Sequence, residues 1–286
     1  MNAPVRRPEW LRKEKPLTEG VVREKAAIAA SGLHTVCESA RCPNLSECFR
    51  SGNATFLVMG DQCTRSCRFC AVGHGRPGAL DPDEGNRVAL QVARMSLRYA
   101  VITSVTRDDL PDGGAAHFAR VVACIRAAAP RTGIELLVPD FRGREQSIDL
   151  VAALPIDVLG HNLETVRRLY PDVRRGADYA RSLDLLKRAR AVCAGRIKTG
   201  IMVGLGETTE ELAGLFDDCA AAGVSLLTIG QYLRPGWSNL PVARYLAPGE
   251  FAQLAEMARA HGVPVVQAGP YVRSSYLAES LCRKKI

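Results

Sequence analysis

Short apolar runs recur along this chain from residue 56 onward, separated by longer segments in which apolar residues repeat at helical spacing. The runs predict buried β-strands at residues 56–59, 99–105, 134–138, 156–159, 197–203, 226–229 and 263–266. Near-continuous apolar strands that alternate with amphipathic helices are typical of a parallel sheet covered by helices. The pattern therefore predicts an α/β fold, and about seven βα units favour a full or partial barrel over an open doubly wound sheet.

Two of the intervening segments carry signals for the start of a helix. Thr208 and Glu211 have the spacing of a capping box, ahead of apolar residues that share one face. Pro248 stands where a first-turn proline opens a helix. Before residue 53 the pattern is different, because Pro43 and Asn44 interrupt any helix and predict a loop around the first cysteines.

Polar, glycine and cysteine residues follow the predicted strands. In a parallel α/β barrel the carboxyl ends of the strands form one face, and the chemistry is located there. The residues that follow successive strands are residues 63–70, residues 104–114, Asp140, the group His161, Asn162 and Glu164, residues 204–207, Gln231 and residues 269–270. We therefore expect the active site on this face.

The composition is that of a globular protein, with 47% hydrophobic and 24% charged residues among 286. The net charge of +8 suggests an acidic partner, which could be a nucleic acid, an anionic membrane or an acidic protein. The N-terminus lacks the apolar segment of a secretory signal, and no stretch approaches the ~20 apolar residues of a membrane span. We therefore expect a cytoplasmic protein, in a reducing compartment where clustered cysteines usually bind metal or do chemistry.

Six of the ten cysteines fall within residues 37–70, as two triplets. The first triplet has the spacing C-x4-C-x5-C and the second has the spacing C-x3-C-x2-C. Their members are Cys37, Cys42 and Cys48, and Cys63, Cys67 and Cys70. Thiolates suit zinc, copper(I) and iron–sulfur clusters, but neither triplet has the four ligands of a structural zinc site. Three cysteines on a 4Fe–4S cluster would leave one iron open, whereas the alternatives are a zinc site built from both triplets or unliganded core cysteines.

Several other residues have a structural and a chemical interpretation. Arg41, Arg65 and Arg68 lie between the cysteines and would favour the thiolate form. His161 could be a base, although a core histidine is the more common role. Three of the remaining cysteines lie in helical patterns, which predicts that they are buried: Cys124, Cys193 and Cys219. Cys282 is expected to be an exposed thiol.

The second triplet, with Phe69 before its last cysteine and βα units after it, resembles the radical S-adenosylmethionine superfamily. The resemblance implies that three cysteines hold a 4Fe–4S cluster whose fourth iron binds the amino and carboxylate groups of S-adenosylmethionine. The reduced cluster then cleaves the cofactor to a 5′-deoxyadenosyl radical, which takes hydrogen from an unactivated carbon. The implied fold is a partial TIM-type (β/α)6 barrel with N- and C-terminal extensions.

Further motifs are similar to those of the lipoyl synthase family, in one order from about residue 33 to residue 278. They are residues 37–48, 60–70, 103–114, 161–165, 175–179, 200–207, 227–233 and 273–276. The resemblance implies three parts: residues 1–52 with the first triplet, residues 53–262 as the barrel, and residues 263–286 with an Arg-Ser-Ser-Tyr motif.

The family resemblance also implies roles for individual residues. The second triplet would hold the radical-generating cluster, and the first triplet would hold an auxiliary 4Fe–4S cluster with Ser275 as its fourth ligand. The auxiliary cluster would be consumed as it donates two sulfurs, to C6 and C8 of an octanoyl chain on a carrier-domain lysine. Arg273 could stabilise the release of sulfur. The implied contacts of S-adenosylmethionine are Thr103, Ser104, Asn162, Glu164 and Arg175.

The implied partners are proteins. They are an octanoylated lipoyl carrier (a 2-oxoacid dehydrogenase acyltransferase subunit or the glycine-cleavage H protein), a low-potential electron donor such as ferredoxin or flavodoxin, and an iron–sulfur carrier protein. No nucleic-acid partner is expected, since no such module is recognised and only 6% of the residues are aromatic. No membrane partner is expected either. Departures from the family pattern at Gly160, residues 234–239 and residues 267–268 bear on how the carrier is presented.

Two alternatives to this function stay open at the level of sequence. One is another radical sulfur-inserting enzyme, similar to biotin synthase or to methylthiotransferases. The other is a non-catalytic zinc or iron–sulfur protein that binds nucleic acid.

Overall fold

A computed structural model describes residues 6–12, 18–40, 42–51 and 53–284 of the chain. Arg41, one of the arginines considered above, lies outside the described residues. The strands in chain order are β1 (His34–Thr35), β2 (Asn53–Val58), β3 (Gln62–Cys63), β4 (Gly73–His74), β5 (Tyr99–Ser104), β6 (Gly133–Leu137), β7 (Val158–Gly160), β8 (Arg196–Val203), β9 (Leu226–Gln231) and β10 (Val265–Gly269).

Eight of these strands form one sheet in the order β1-β2-β5-β6-β7-β8-β9-β10. All neighbours from β2 to β10 are parallel, and only the two-residue β1 runs antiparallel, on β2. The carboxyl ends of the parallel strands therefore lie along one edge, as the βα pattern predicts. The partial barrel of the predicted fold class is confirmed, and β10, from the predicted C-terminal extension, continues its parallel order.

Helices follow most of the parallel strands and, apart from the last helix, cover the sheet from outside. They are α1 (Glu19–Ala30), α2 (Val36–Ser39), α3 (Leu45–Arg50), α4 (Glu84–Arg94), α5 (Ala115–Ala128), α6 (Glu145–Ala152), α7 (Tyr170–Val173), α8 (Tyr179–Val192), α9 (Thr209–Ala221), α10 (Pro248–Ala260) and α11 (Ala278–Cys282). Both predicted helix starts are confirmed, since Thr208 and Glu211 form a capping box and Pro248 is in the first turn of α10.

The loop predicted around the first cysteines is wrong in part. Cys37 lies in α2 and Cys48 lies in α3, and only residues between these helices are irregular. Thr35 accepts a hydrogen bond from the backbone N–H of Glu38 and so caps α2. Short helices of this kind carry little periodicity, which explains why the pattern missed them.

The last helix, α11, lies inside the partial barrel. Ala278, Leu281 and Cys282 pack against residues of the sheet, which are Tyr99, Val101, Leu137, Val158, Leu226 and Val265. On β5 the alternate residues, Ala100 and Ile102, belong instead to the core shared with the outer helices. Because successive residues of a strand point to opposite faces, α11 contacts the inner face. The prediction of an exposed thiol at Cys282 is therefore wrong, since Cys282 packs within this core.

A buried ion pair crosses the barrel interior near the amino ends of the strands. Nζ of Lys198 lies 2.7 Å and 3.0 Å from the carboxylate oxygens of Glu135, and both side chains are 1% exposed. Tyr99 donates a hydrogen bond of 3.2 Å to the same carboxylate. The pair lies away from the carboxyl-end face, so we assign it a structural role.

Candidate cluster and cofactor site

The second triplet follows the carboxyl end of β2, with Cys63 in β3 and Cys67 and Cys70 in the loop after it. Backbone N–H groups donate hydrogen bonds to two of its sulfurs. The backbone N–H groups of Arg65 and Thr106 point to Sγ of Cys63 at 3.4 Å and 3.3 Å. The N–H of Val72 points to Sγ of Cys70 at 3.4 Å. These donors favour negatively charged sulfur, as a thiolate bound to iron requires.

The side chain of Arg65 fastens this loop to the next two strand ends. It donates hydrogen bonds to both carboxylate oxygens of Asp108, after β5, and of Asp140, after β6, at 2.6–2.9 Å. Burial by itself would raise the pKa of Asp140, but the hydrogen bonds and charge of Arg65 hold it at about 2. The predicted effect of Arg65 on the thiols is thus weakened, since two carboxylates neutralise its charge.

Two thiols of the second triplet, those of Cys67 and Cys70, are costly to ionise because they are buried. Burial raises the pKa of Cys67, and Arg174 acts against this. Burial also raises the pKa of Cys70 to about 12, with a further rise from Cys67 and Cys63 and an opposing hydrogen bond from Val72. These mutual effects mean that the three sulfurs lie close to one another. The donor set fits an iron–sulfur cluster, whose positive charge would stabilise the thiolates.

The first triplet forms a second group of neighbouring sulfurs. Cys37 and Cys48 are buried and Cys42 is half-buried. Burial raises the pKa of Cys37, and Cys42 and Cys48 raise it further, so these thiols also lie close together. Among the residues that the structure describes, no three His, Cys, Asp or Glu side chains converge as ligands of a single metal ion. A 4Fe–4S cluster takes one thiolate on each iron, so its cysteines need not converge on one point.

The C-terminal segment of residues 271–276 is attached to the first triplet at two points. Asn44 donates a hydrogen bond of 2.6 Å to the carbonyl of Tyr271, and the hydroxyl of Tyr276 donates one of 2.8 Å to Glu47. Burial and Glu47 raise the pKa of Tyr276, so this hydroxyl keeps its proton. Ser275 is half-buried and lies in the chain between the two attachments.

The segment can lie close to the sheet because β9 has a glycine beneath it. A Cβ on Gly230 would lie 2.1 Å from the carbonyl oxygen of Val272 and 3.1 Å from a guanidinium nitrogen of Arg273. Any larger residue would push the segment away from the sheet. Burial lowers the pKa of Arg273, and the neighbouring Cys42 and Glu164 act against this, so Arg273 lies near both of them.

Four of the five residues predicted to contact S-adenosylmethionine lie at the carboxyl ends of β5 and β7. Thr103 donates its hydroxyl proton to the carbonyl of Leu137 at 2.7 Å and is buried. The hydroxyl of Ser104 is buried and has no hydrogen-bond partner among the described residues. Asn162 donates a hydrogen bond of 3.0 Å to Glu164. Burial raises the pKa of Glu164, against the lowering effects of Arg174 and Asn162.

The structure puts Arg174, rather than the predicted Arg175, at this site. Arg175 is exposed. Arg174 donates hydrogen bonds to the carbonyl of Asn162 at 2.7 Å and to the hydroxyl of Tyr170 at 2.8 Å, and its charge acts on Glu164 and Cys67. Sequence reasoning missed this residue because two adjacent arginines look alike, and only the backbone direction after α7 decides which one points inward.

His161 has the structural role that was favoured from the sequence. One ring nitrogen is 2.8 Å from the carbonyl of Val138 and the other is 3.0 Å from the hydroxyl of Ser182. Burial lowers the pKa of His161 to about 4, and Arg174 adds to this. A neutral imidazole with both nitrogens engaged is unsuited to act as a base here.

The loop of residues 234–239, where we expect a departure from the family pattern, packs on the second triplet. Asn239 donates hydrogen bonds to the carbonyls of Arg68 and Cys70 at 3.1 Å and 2.9 Å. Trp237 is 82% exposed, with the guanidinium of Arg234 5.1 Å from its ring centroid. An exposed tryptophan beside the cluster loop is a candidate contact for a protein partner.

Comparison with known proteins gives one family. The model of the Radical SAM superfamily matches residues 57–219. The chain is 51% identical over 279 residues to a lipoyl synthase of Methylococcus capsulatus, which covers 97% of this chain and 87% of that protein. It is 51% identical over 284 residues to the one of Laribacter hongkongensis, covering 99% and 90%. For Escherichia coli O1:K1 / APEC the identity is 50% over 278 residues, covering 96% and 87%.

Solved structures with a similar fold are much more distant in sequence. The FeFe-hydrogenase maturase HydG from Carboxydothermus hydrogenoformans has a TM-score of 0.58 at 14% identity, covering 92% of this chain and 77% of that chain. Streptococcus suis SuiB bound to S-adenosylmethionine has a TM-score of 0.57 at 11% identity, covering 76% and 50%. In the described part of the chain, no helix has the length and apolar character needed to cross a membrane.

Proposed function

Because the chain belongs to the lipoyl synthase family of the radical S-adenosylmethionine superfamily, we propose that it is a sulfurtransferase that inserts two sulfur atoms into a protein-bound octanoyl chain, at C6 and C8. The observation that carries this function is identity of about half of all residues to curated lipoyl synthases along nearly the whole chain. Two sulfur-rich sites, built from six clustered cysteines, are consistent with it. A nucleic-acid-binding zinc protein has no comparable support.

The proposed metal ligands are the two cysteine triplets and Ser275. When bound, the cofactors supply the chemistry: S-adenosylmethionine on the cluster of the second triplet supplies the radical, and the auxiliary cluster of the first triplet supplies sulfur. The role of Ser275 is supported by the hydrogen bonds on either side of it, from Asn44 to Tyr271 and from Tyr276 to Glu47. A serine oxygen is a harder ligand than a thiolate, so its bond to iron should break more easily when sulfur leaves.

The protein's own residues bind and orient the cofactor in this proposal. Asn162, Glu164 and the hydroxyl of Ser104, which has no hydrogen-bond partner within the described part of the chain, provide polar groups at the carboxyl ends of β5 and β7. Arg174 takes the part first assigned to Arg175, because its charge acts on both Glu164 and Cys67. Arg273, which lies near Cys42, would stabilise negative charge that develops at the first triplet.

The family requires an octanoylated carrier and an electron donor, and we propose particular proteins for both roles. The carrier would be an acyltransferase subunit of a 2-oxoacid dehydrogenase or the glycine-cleavage H protein, the donor a ferredoxin or flavodoxin, and an iron–sulfur carrier protein would rebuild the auxiliary cluster. The net charge of +8 supports acidic partners. Thiolate ligands require reduced cysteines, which supports the cytoplasm as the compartment.

The test is anoxic reconstitution, followed by incubation with reductant, S-adenosylmethionine and an octanoylated lysine peptide. Mass spectrometry should show two sulfurs inserted into the peptide. Iron analysis should give roughly eight irons per chain, as expected for two cubane clusters. A reconstituted protein that forms 5′-deoxyadenosine but never a sulfur-containing product would refute the proposal.

Two cysteine variants separate the proposed duties of the triplets. Cys63→Ala should abolish cleavage of S-adenosylmethionine, because the cluster of the second triplet loses a ligand. Cys37→Ala should retain cleavage but form no lipoyl product. A normal yield of lipoyl group from Cys37→Ala would contradict the role of the first triplet as the sulfur site.

A further inference from the structure

The neighbouring serines of the Arg-Ser-Ser-Tyr motif have different surroundings. Ser275 lies between the two attachments to the first triplet, whereas Ser274 points toward β7. The hydroxyl of Ser274 donates a hydrogen bond of 2.9 Å to Oδ1 of Asn162, and Nδ2 of Asn162 donates one of 3.0 Å to Glu164. A continuous chain of hydrogen bonds therefore runs from the C-terminal segment to Glu164.

The direction of these hydrogen bonds is determined by chemistry. The amide nitrogen of Asn162 faces Glu164, whose carboxyl oxygen accepts its hydrogen bond. The amide oxygen must then face Ser274, whose hydroxyl can donate. Ser274 thus provides the second of two side-chain hydrogen bonds that hold the Asn162 amide, and without it the amide is held less firmly.

The backbone around this chain of hydrogen bonds is built for close approach. A Cβ on Gly200 would lie 3.0 Å from Oδ1 of Asn162 and 2.6 Å from the hydroxyl of Thr228. Glu164 has a φ of +67°, which is uncommon for a residue with a side chain. It is kept there by backbone hydrogen bonds on both sides, to the carbonyl of Gly200 and from the N–H of Met202. A strained residue that its neighbours keep in place is typical of a functional site.

We propose that Ser274 is a positioning residue that couples the cofactor site to the auxiliary site. Ser274 holds the Asn162 amide in place. The positions of Asn162 and Glu164 therefore depend on whether the C-terminal segment is packed against the first triplet. Binding of S-adenosylmethionine is then favoured when that segment is in place. The inference rests on the proposed function, because it assigns the cofactor to the end of β7 and the sulfur source to the first triplet.

The experiment compares Ser274→Ala with Ser274→Thr in reconstituted holoenzyme. The readouts are the Kd for S-adenosylmethionine, the iron content, and the ratio of 5′-deoxyadenosine to lipoyl product. Ser274→Ala should weaken binding by about 2- to 13-fold, the effect of one neutral hydrogen bond. Ser274→Ala should also raise the ratio of 5′-deoxyadenosine to lipoyl product, because cleavage of S-adenosylmethionine no longer depends on packing of the C-terminal segment against the first triplet. Ser274→Thr keeps the hydroxyl and should restore both values.

A double-mutant cycle distinguishes coupling through Asn162 from a general loss of structure. If Ser274 acts through Asn162, the effect of Ser274→Ala on binding should disappear in an Asn162→Ala background. The inference is overturned if Ser274→Ala binds S-adenosylmethionine as the unchanged protein does, if its effect adds to that of Asn162→Ala, or if iron content falls in parallel. Failure of the proposed function would appear separately, as absence of lipoyl product from the unchanged protein.

Discussion

Arg65 and Arg68 occupy the same cysteine motif, and the structure predicts a large loss of stability for replacement of Arg65 and a small one for replacement of Arg68. Arg65 is 6% exposed and donates four hydrogen bonds to Asp108 and Asp140. Arg68 is 35% exposed and lies 3.7 Å from Asp172, whose carboxylate is 76% exposed. Replacing each with glutamine removes one charge from the same loop, so Arg68→Gln is a matched control.

The magnitude follows from the burial of the Arg65 network. Arg65 holds the pKa of Asp140 at about 2 instead of 3.8, which corresponds to about 2 kcal/mol of net stabilisation of the carboxylate. Because this pKa is lowered by folding, the contribution is fully present above pH 3.8 and is lost only as the pH falls toward 2. Removing Arg65 also leaves Asp108 and Asp140 to the more distant guanidinium groups of Arg142 and Arg181, at 3.3 Å and 3.5 Å. Breaking such a buried pair costs about 3–5 kcal/mol.

We therefore expect Arg65→Gln to lower the free energy of unfolding by about 3–5 kcal/mol, and Arg68→Gln to lower it by less than about 1 kcal/mol. The assay is anoxic denaturant unfolding followed by circular dichroism. Iron should also be lost from Arg65→Gln, since the loop that carries Cys63 is no longer fastened to the strand ends. Equal stabilities for the two variants, or full iron content in Arg65→Gln, would refute this reasoning.

Three further outcomes are expected from single residues. Burial lowers the pKa of His161 to about 4, so its protonation in the unfolded chain opposes folding below pH 6.5. When the pH falls from 7.5 to about 6, the free energy of unfolding should drop by about 0.8 kcal/mol more than it does in His161→Asn, as measured by denaturant midpoints. Leu281→Ala should cost about 2–5 kcal/mol in thermal or denaturant unfolding, because Leu281 is 0% exposed inside the barrel, whereas deletion of the exposed Leu90 side chain should cost little. Trp237→Ala should raise KM for an octanoylated carrier domain several-fold and leave KM for an octanoylated peptide unchanged, and an equal change for both substrates would exclude Trp237 as a contact of the carrier.

The repeating pattern of strands and helices was readable from the chain because it depends on local periodicity. The prediction of β5 at residues 99–105 differs from Tyr99–Ser104 by one residue, and the capping box of Thr208 and Glu211 was found where expected. The two short helices of the first triplet were missed, because four to six residues carry too little periodicity to be recognised. The position of Cys282 is wrongly predicted for a similar reason, because the sequence around it carries no signal that α11 lies inside the barrel.

The cysteine spacing and the order of motifs were enough to indicate the cofactor class and the family, because ligand chemistry depends on residue type and on short distances along the chain. What only the tertiary structure decided concerns residues far apart in sequence. Arg174 rather than Arg175 lies beside Asn162 and Glu164, Arg65 donates hydrogen bonds to Asp108 and Asp140, and Ser274 contacts Asn162 across 112 residues. Such contacts depend on how strand ends and the C-terminal segment meet in space, and side-chain direction at those points is set by packing and by the close approach that Gly200 and Gly230 allow.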